Sequence, residues 1–199
     1  PKAGEANSKV SVHTFDIKSK VTRKMKLPLD PDGYIPRIRF TQDAAKLAIM
    51  TLNRNQNRFD LYFADPRSTL CKLVLRDESP YYINESVFDN IMFYPQNFSF
   101  ISEKDGYSHL YWYSMGGNLV KQVTKGKFEV KRFIGWDAAT NTFYFESNEE
   151  SPLRTAVYKT DKKGGRIKLS EKAGTNSAIF SSNLKYFMNT YSNLQTPAV

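Results

Sequence analysis

The sequence predicts an all-β fold that is built from short antiparallel strands. Helical periodicity is almost absent, and short runs rich in Val, Ile, Tyr, Phe and Thr alternate with clusters of Gly, Asn, Asp and Pro. A strand-and-turn pattern also recurs about every 48 residues. Hydrophobic residues make up 40% of the chain and aromatic residues 14%, whereas disordered chains are poor in both, so we expect a packed core.

The predicted strands follow one another along the whole chain. In order, the clearest are KVSVHTFDI (9–17), KLAIMTLNR (46–54), FDLYFAD (59–65), HLYWYSM (109–115), TFYFESN (142–148), TAVYKTD (155–161) and KYFMNTY (185–191). Residues that tolerate tight or positive-φ turns separate them, as at Asp65-Pro66, Gly116-Gly117-Asn118 and Gly164-Gly165. Short, numerous strands joined by hairpins indicate a sandwich, a barrel or a propeller.

Repetition decides among these architectures. Four segments share a strand, a polar turn and a second strand: HTFDIKSKVTRKMKL (13–27), DLYFADPRSTLCKLVL (60–75), HLYWYSMGGNLVKQVT (109–124) and AVYKTDKKGGRIKLS (156–170). Their anchor aromatic residues, Phe15, Tyr62, Tyr111 and Tyr158, are 47, 49 and 47 positions apart. The strand before each of the last three hairpins also recurs. About four strands per period are typical of β-propeller blades, whereas a sandwich gives no reason for this spacing.

The sequence therefore predicts a propeller fragment of about four blades, each a four-stranded antiparallel sheet. Whole blades are predicted at 30–78, 79–125 and 126–172, and half blades at 1–29 and 173–199. We expect the chain to be part of a larger ring, because closed propellers commonly have more blades. Unpaired strand edges seek partners, so the half blades are predicted to pair with each other or with a second copy, giving a homodimer.

The net charge of +9 raises the alternative of a basic β protein that binds nucleic acid. The densest basic clusters, KSKVTRKMK (18–26) and KTDKKGGRIKLSEK (159–172), lie where hairpin turns and exposed strand faces are expected. A solvated surface is therefore the favoured interpretation, with no nucleic-acid partner. No apolar run approaches the roughly 20 residues of a membrane span, and PKAGEANSKV at the start lacks the pattern of a signal peptide.

Few residues offer reactive chemistry. Cys71 is the only cysteine, which excludes an intrachain disulfide and cysteine-rich zinc sites, and we expect it to be a small buried hydrophobe. Motifs such as G-x-S-x-G, H-E-x-x-H, a Walker loop and G-x-G-x-x-G do not occur. His109 is predicted to be a hydrogen-bonded or rim residue, and His13 a half-exposed structural one. We predict no catalytic, metal-binding or cofactor-binding residues.

The carboxylate pair Glu149-Glu150 lies in the turn SNEESP and leaves two interpretations open. Clustered negative charge could bind the ammonium group of a ligand. A solvated turn is the alternative, since the equivalent turns NRNQN and SEKDG are also polar. Asn-x-Ser sequons occur at Asn84 and Asn97.

Five phrases carry a family resemblance. They are PKAGEAN (1–7), YIPRIRFTQDAAKLAIMTLNRNQNRFDLYFAD (34–65), FISEKDGYSHLYWY (100–113), VTKGKFEV (123–130) and FYFESNEESPLRTAVYKT (143–160). In this order and spacing they resemble the N-terminal propeller of the dipeptidyl peptidase IV family, which is part of the prolyl oligopeptidase clan of serine peptidases. The resemblance extends from Pro1 to about Pro197, and a bacterial source is expected.

The resemblance implies an eight-bladed propeller that covers an α/β-hydrolase domain with a Ser-Asp-His triad. Such an enzyme releases dipeptides from free N-termini and prefers Pro or Ala in second place. The hydrolase domain would follow residue 199, so this chain is expected to act as a scaffold and substrate gate without catalysing hydrolysis. Its partners would be the hydrolase domain and a peptide substrate in the central cavity, and the parent would be periplasmic or extracellular.

The resemblance also bears on site residues. The family's Glu pair that holds the substrate amino group would precede PKAGE, so Glu149-Glu150 is not given that role. The counterpart of YYINESVF (81–88) lies at the outer substrate subsites, so Glu85, Val87 and Phe88 are predicted to line the cavity. An ordinary connection between blades is the alternative for this segment. A self-standing propeller-like interaction module is the alternative for the whole chain.

Overall fold

The computed structural model describes residues 4–161 and 163–199. In this part of the chain, fifteen strands and one short helix form two compact units. The first unit extends to Phe98 and includes Ser114–Asn118, and the second comprises Ser99–Tyr113 and Leu119–Val199. None of the described helical residues forms a segment long and apolar enough to cross a membrane.

The first unit contains a hairpin, a four-stranded antiparallel sheet and a helix. The hairpin is β1 (His13–Phe15) and β2 (Thr22–Lys24). The sheet has strands in sequence order, which are β3 (Tyr34–Phe40), β4 (Leu47–Leu52), β5 (Arg58–Ala64) and β6 (Cys71–Glu78). The helix α1 (Ser86–Asp89) follows β6.

The strands β4 and β5 are the centre of the first unit's core. Almost every side chain in them is buried on both faces of the sheet, and Ile49 lies opposite Tyr62 in the ladder. The turn between these strands uses the predicted polar residues. The Asn53 side-chain oxygen accepts hydrogen bonds from the backbone N–H groups of Asn57 and Arg58, both at 3.0 Å. The side chain of Asn53 therefore holds the turn that the sequence signals with NRNQN.

A third sheet is formed by β7 (Asn97–Ser102), β8 (His109–Ser114) and β9 (Leu119–Gln122). The sequence predicts four strands for residues 79–125, but the structure describes three. In place of a first strand, Phe93 makes one antiparallel bridge to Phe98. The chain before this bridge folds into α1 and buries Val87, Phe88 and Ile91, so it does not extend along the sheet.

The second unit also contains a complete four-stranded antiparallel sheet and a hairpin. The sheet is β10 (Val130–Asp137), β11 (Thr142–Ser147), β12 (Ala156–Thr160) and β13 (Arg166–Lys168), again in sequence order. The hairpin is β14 (Thr175–Phe180) and β15 (Phe187–Ser192). Aromatic contacts fill this unit; for example, the ring of Trp112 lies 5.0 Å from that of Trp136 and 5.1 Å from that of Phe143.

Three of the four predicted anchors have similar surroundings. Tyr62, Tyr111 and Tyr158 are 4%, 1% and 5% exposed, and each lies in the strand that follows a polar turn. Burial raises the pKa of Tyr158 to about 12, with Glu150 and Glu149 adding to the effect. The fourth anchor, Phe15, is 56% exposed, because β1 has only β2 as a neighbouring strand in the described residues.

Cys71 is half-buried rather than fully buried. It begins β6 and packs at the margin of the core cluster that contains Tyr62 and Met25. Burial raises the pKa of its thiol, which keeps the sulfur in its unreactive protonated form at neutral pH.

Candidate functional site

The first unit contains an open pocket of about 690 Å³. Four stretches of the sequence form its wall: the segment before β1, the start of β3 with the preceding turn, the end of β4 with the β4–β5 turn, and the connection between β6 and β7. The lining residues are Asn7, Ser8, Val10, Gly33, Tyr34, Ile35, Pro36, Leu52, Gln56, Tyr82, Ile83, Asn84, Glu85 and Phe88. Its size falls within the range that is common for ligand pockets.

The structure separates the three residues that the sequence predicts for a cavity. Glu85 and Phe88 line the pocket, and the side chain of Glu85 is exposed. Val87 does not line it; its side chain is 5% exposed and belongs to the core. One turn of helix explains the difference, since successive side chains of α1 point in different directions.

The helix α1 packs on the hydrophobic core of the first unit. Phe88 stacks on Phe59 with ring centroids 5.7 Å apart and an interplanar angle of 24°. Asn90 donates a side-chain hydrogen bond of 2.8 Å to the carbonyl of Ser86, which closes the C-terminal end of the helix. The Asn84 side chain accepts a bond of 2.9 Å from the N–H of Ser86, so this sequon asparagine is part of a local turn.

Hydrogen bonds and ion pairs also hold the connection between β6 and β7. At its start, the N–H of Ser79 donates to the carbonyl of Asn57 at 2.9 Å, and the N–H of Ile83 donates to that of Gln56 at 2.8 Å. Further along, Asp89 at the end of α1 is shared by two arginines of β3. These contacts are Arg37 Nε at 3.3 Å and Arg39 Nη2 at 3.2 Å, both to Asp89 Oδ1. The pocket wall is thus attached to the β4–β5 turn and to β3.

Among the residues that the structure describes, Glu85 is the only charged one that lines the pocket. Within residues 4–161 and 163–199, its carboxylate has no ion-pair partner. Arg54 is close in space to the pocket residue Tyr34, because it donates a hydrogen bond to the Tyr34 hydroxyl, but it does not line the pocket. The pocket is therefore mostly apolar and carries one unpaired negative charge.

The carboxylate pair Glu149-Glu150 already forms ion pairs within the chain. Glu149 accepts hydrogen bonds from Arg166 Nε and Nη2, the shortest being 2.6 Å, and Glu150 accepts one of 2.7 Å from Lys168 Nζ. Both cations lie on β13, which pairs with β12, the strand that follows the turn. This geometry argues against the amine-binding interpretation and favours the surface turn, with the addition that both carboxylates are paired with cations of the same chain.

The two histidines have structural partners. His109 is 2% exposed; its Nδ1 lies 3.2 Å from the Thr124 hydroxyl and its Nε2 lies 3.0 Å from the Gly126 carbonyl. Burial lowers the pKa of His109, while the hydrogen bond to Gly126 acts in the opposite direction. His13 is exposed, and its Nε2 contacts the Ser11 hydroxyl at 3.0 Å. Hydrolysis by a serine–histidine pair requires an orienting acid, and the described residues place none on His13.

Comparison with known proteins identifies the region. Residues 1–198 match the family described as the dipeptidyl peptidase IV (DPP IV) N-terminal region. The chain belongs to this family. As a DPP IV N-terminal region, it is part of a β-propeller, and the predicted all-β fold class is confirmed.

Two solved bacterial structures are similar to this DPP IV region. Dipeptidyl peptidase 4 of Porphyromonas gingivalis matches with 45% identity and a TM-score of 0.95 over 100% of this chain. A Bacteroides ovatus protein assigned as a dipeptidyl aminopeptidase IV matches with 21% identity and a TM-score of 0.80 over 96%, which supports the fold alone. The chain spans 28% and 30% of these relatives. Both sources are consistent with the predicted bacterial origin.

Sequence reasoning missed most of the pocket wall. No spacing or motif in the sequence relates Ser8 and Val10 to Tyr34, because the contact between these segments depends on the tertiary fold. The stretch 81–88 was identified through the family resemblance. A second signal was available in the repeat, since the connection between blades and the β4–β5 turn lie at the same end of the sheet in an antiparallel meander.

Proposed function

We propose that this chain is the non-catalytic propeller portion of a DPP IV-like serine exopeptidase, in which it acts as a scaffold and substrate gate. The parent enzyme would remove N-terminal dipeptides with Pro or Ala in second place. The observation that carries the proposal is the family match over residues 1–198, together with 45% identity to a dipeptidyl peptidase 4 over the full chain.

In this proposal, the pocket is the part of the chain that contacts the substrate. Glu85 and Phe88 would contact the substrate, and Val87 would support them from the core. The stacking of Phe88 on Phe59 and the two arginine contacts to Asp89 hold this wall in place before a ligand arrives. A preformed wall reduces the entropy that is lost on binding.

The partners of the chain follow from the same proposal. An α/β-hydrolase domain would supply the Ser-Asp-His triad, and a peptide would enter the cavity between the two domains. We infer a periplasmic or extracellular location for the parent. Exposed apolar side chains on the two terminal hairpins, such as Phe15, Ile179 and Met188, also support pairing with a second copy, which light scattering would detect as a dimer.

Assays of dipeptide release test the proposed function. The purified chain is expected to leave a Gly-Pro chromogenic substrate intact. A protein that joins this region to the preceding propeller segment with its Glu pair and to a hydrolase domain, called the joined protein, is expected to cleave it. Blocking the substrate's N-terminus by acetylation is expected to abolish cleavage by the joined protein. Failure of the joined, folded protein to cleave the free substrate would overturn the proposal.

A further inference from the structure

We propose that the pocket binds a basic side chain of an extended peptide, with Glu85 as its counterion. The ligand class is a peptide that carries Lys or Arg, rather than an acidic or purely apolar one. This inference deepens the proposed function, and the view that the peptide is a substrate rests on that function. The binding preference itself rests on the pocket alone.

The pocket walls suit the stem of a long side chain. Val10, Ile35, Leu52 and Phe88 supply apolar surface along the wall, and the volume of about 690 Å³ exceeds that needed for one side chain. The methylene groups of Lys and Arg pack on such surfaces while the charged end remains near water. The pocket therefore has room for the side chain and part of the adjoining backbone.

The charge of the pocket selects the sign of the ligand. Glu85 is the only charged lining residue, and its carboxylate has no ion-pair partner in the described parts of the chain. An ammonium or guanidinium group would gain a charge-assisted hydrogen bond there. An acidic side chain would meet repulsion from the same carboxylate.

The polar lining adds partners that favour a cation. Tyr82 offers an aromatic face, which attracts cations through the ring quadrupole. The ring of Tyr34 already has the Arg54 guanidinium 5.7 Å from its centroid. The side-chain oxygen of Gln56 can accept further N–H groups of a guanidinium. The glutamates of the turn SNEESP do not offer a free counterion for a basic side chain, because Glu149 and Glu150 are already paired with Arg166 and Lys168.

The experiment is a fluorescence-anisotropy titration of the intact chain with labelled peptides that differ at one position. The peptides carry Lys, Arg, norleucine or Glu in an otherwise uncharged sequence, and both ends are blocked so that no terminal charge contributes. Because Glu85 is exposed, the preference for Lys over norleucine is expected to be about threefold to tenfold at about 50 mM salt. It should shrink at roughly 300 mM salt.

The variant Glu85→Gln distinguishes the counterion from a general apolar pocket. It is expected to reduce the affinity for the Lys peptide to that for the norleucine peptide and to leave the latter unchanged. Glu171→Gln is the matched control, since it removes an exposed carboxylate outside this pocket, and it should leave the preference intact. Both variants are expected to keep the thermal midpoint of the wild type. Equal affinities for Lys and norleucine, or a preference that survives Glu85→Gln, would overturn the proposal.

The outcome separates this inference from the proposed function. If the joined protein releases dipeptides but the chain shows no preference for basic peptides, the function stands and the ligand class is wrong. If the preference depends on Glu85 but no dipeptide is released, the pocket stands and the function is wrong.

Discussion

Phe88 lies stacked on Phe59, with ring centroids 5.7 Å apart. The contact joins the candidate pocket to the sheet, because Phe59 is a fully buried residue of β5 and Phe88 is a lining residue of the pocket. The wall of the pocket is therefore part of the hydrophobic core of the first unit. Changes in this contact are expected to affect stability and binding together.

Phe88→Ala is expected to destabilise the chain by about 3–4 kcal/mol, because it removes a side chain that is only 3% exposed and leaves a cavity. Chemical denaturation monitored by tryptophan fluorescence measures the change. Tyr81→Ala, which removes an aromatic side chain that is 82% exposed, is the control and is expected to cost less than about 0.5 kcal/mol. Similar losses for both variants would contradict the described packing of α1.

Arg132→Met is expected to destabilise the chain by about 3 kcal/mol. Glu146 is 6% exposed, and its carboxylate accepts bonds from Arg132 at 2.6 Å and from the N–H of Ala178 at 2.9 Å. Removal of the arginine leaves a buried charge without its partner. In the double variant Arg132→Met with Glu146→Gln, much of the loss should be recovered, as measured by urea denaturation. Independent, additive effects of the two changes would show that the pair is not coupled.

Gly117→Ala is expected to destabilise the chain far more than Gly106→Ala. Both glycines have positive φ, +93° and +87°, so each substitution carries about 1–2 kcal/mol of backbone strain. Only at Gly117 would the added Cβ lie 2.1 Å from a backbone oxygen, that of Val74. The difference between the two thermal midpoints isolates the steric contact, and equal midpoints would contradict the close approach of Val74.

The stability of the chain is expected to fall as the pH drops below about 6.5. Burial lowers the pKa of His109 in the folded state, so below the ordinary value of about 6.5 the unfolded chain binds the proton first. The contribution is fully present above that pH and declines by at most about 1.4 kcal/mol per pH unit until the folded-state pKa is reached.

His109→Gln tests this assignment, because glutamine cannot be protonated but can still donate to the Gly126 carbonyl. Urea denaturation of both proteins between about pH 7.5 and pH 5 is the measurement. The aspartates with lowered pKa values, such as Asp16 and Asp137, titrate in a more acidic range. A slope that is the same in the variant and in the wild type would assign the pH dependence to other groups.

The repeat was predictable because its anchors follow local rules. Tyr62, Tyr111 and Tyr158 each lie in a strand that follows a polar turn, and the spacing of strands and turns is visible in the sequence. The exposure of Phe15 was not predictable, since it depends on how many strands pair with β1. The lack of a first strand in the described residues of 79–125 was not predictable either, because the burial of Val87 in α1 and of Ile91 after it is a tertiary effect.

The candidate site was predictable only in part. The family resemblance pointed to Glu85, Val87 and Phe88, of which Glu85 and Phe88 line the pocket. Val87 faces the core because a turn of helix replaces the extended chain there. The rest of the pocket wall depends on backbone hydrogen bonds between residues that are far apart in the sequence. An example is the bond from the N–H of Ile83 to the carbonyl of Gln56. The ion pairs of Glu149 and Glu150 depend on the register of β12 and β13, which no motif encodes.

The claim that this chain does not itself catalyse the release of dipeptides is tested most directly by one measurement. A blocked-C-terminus peptide that begins with Gly-Pro is incubated with the purified chain and followed by mass spectrometry. We predict that the peptide remains intact at every time point. Release of the Gly-Pro dipeptide at a rate that survives repurification of the chain would contradict the account.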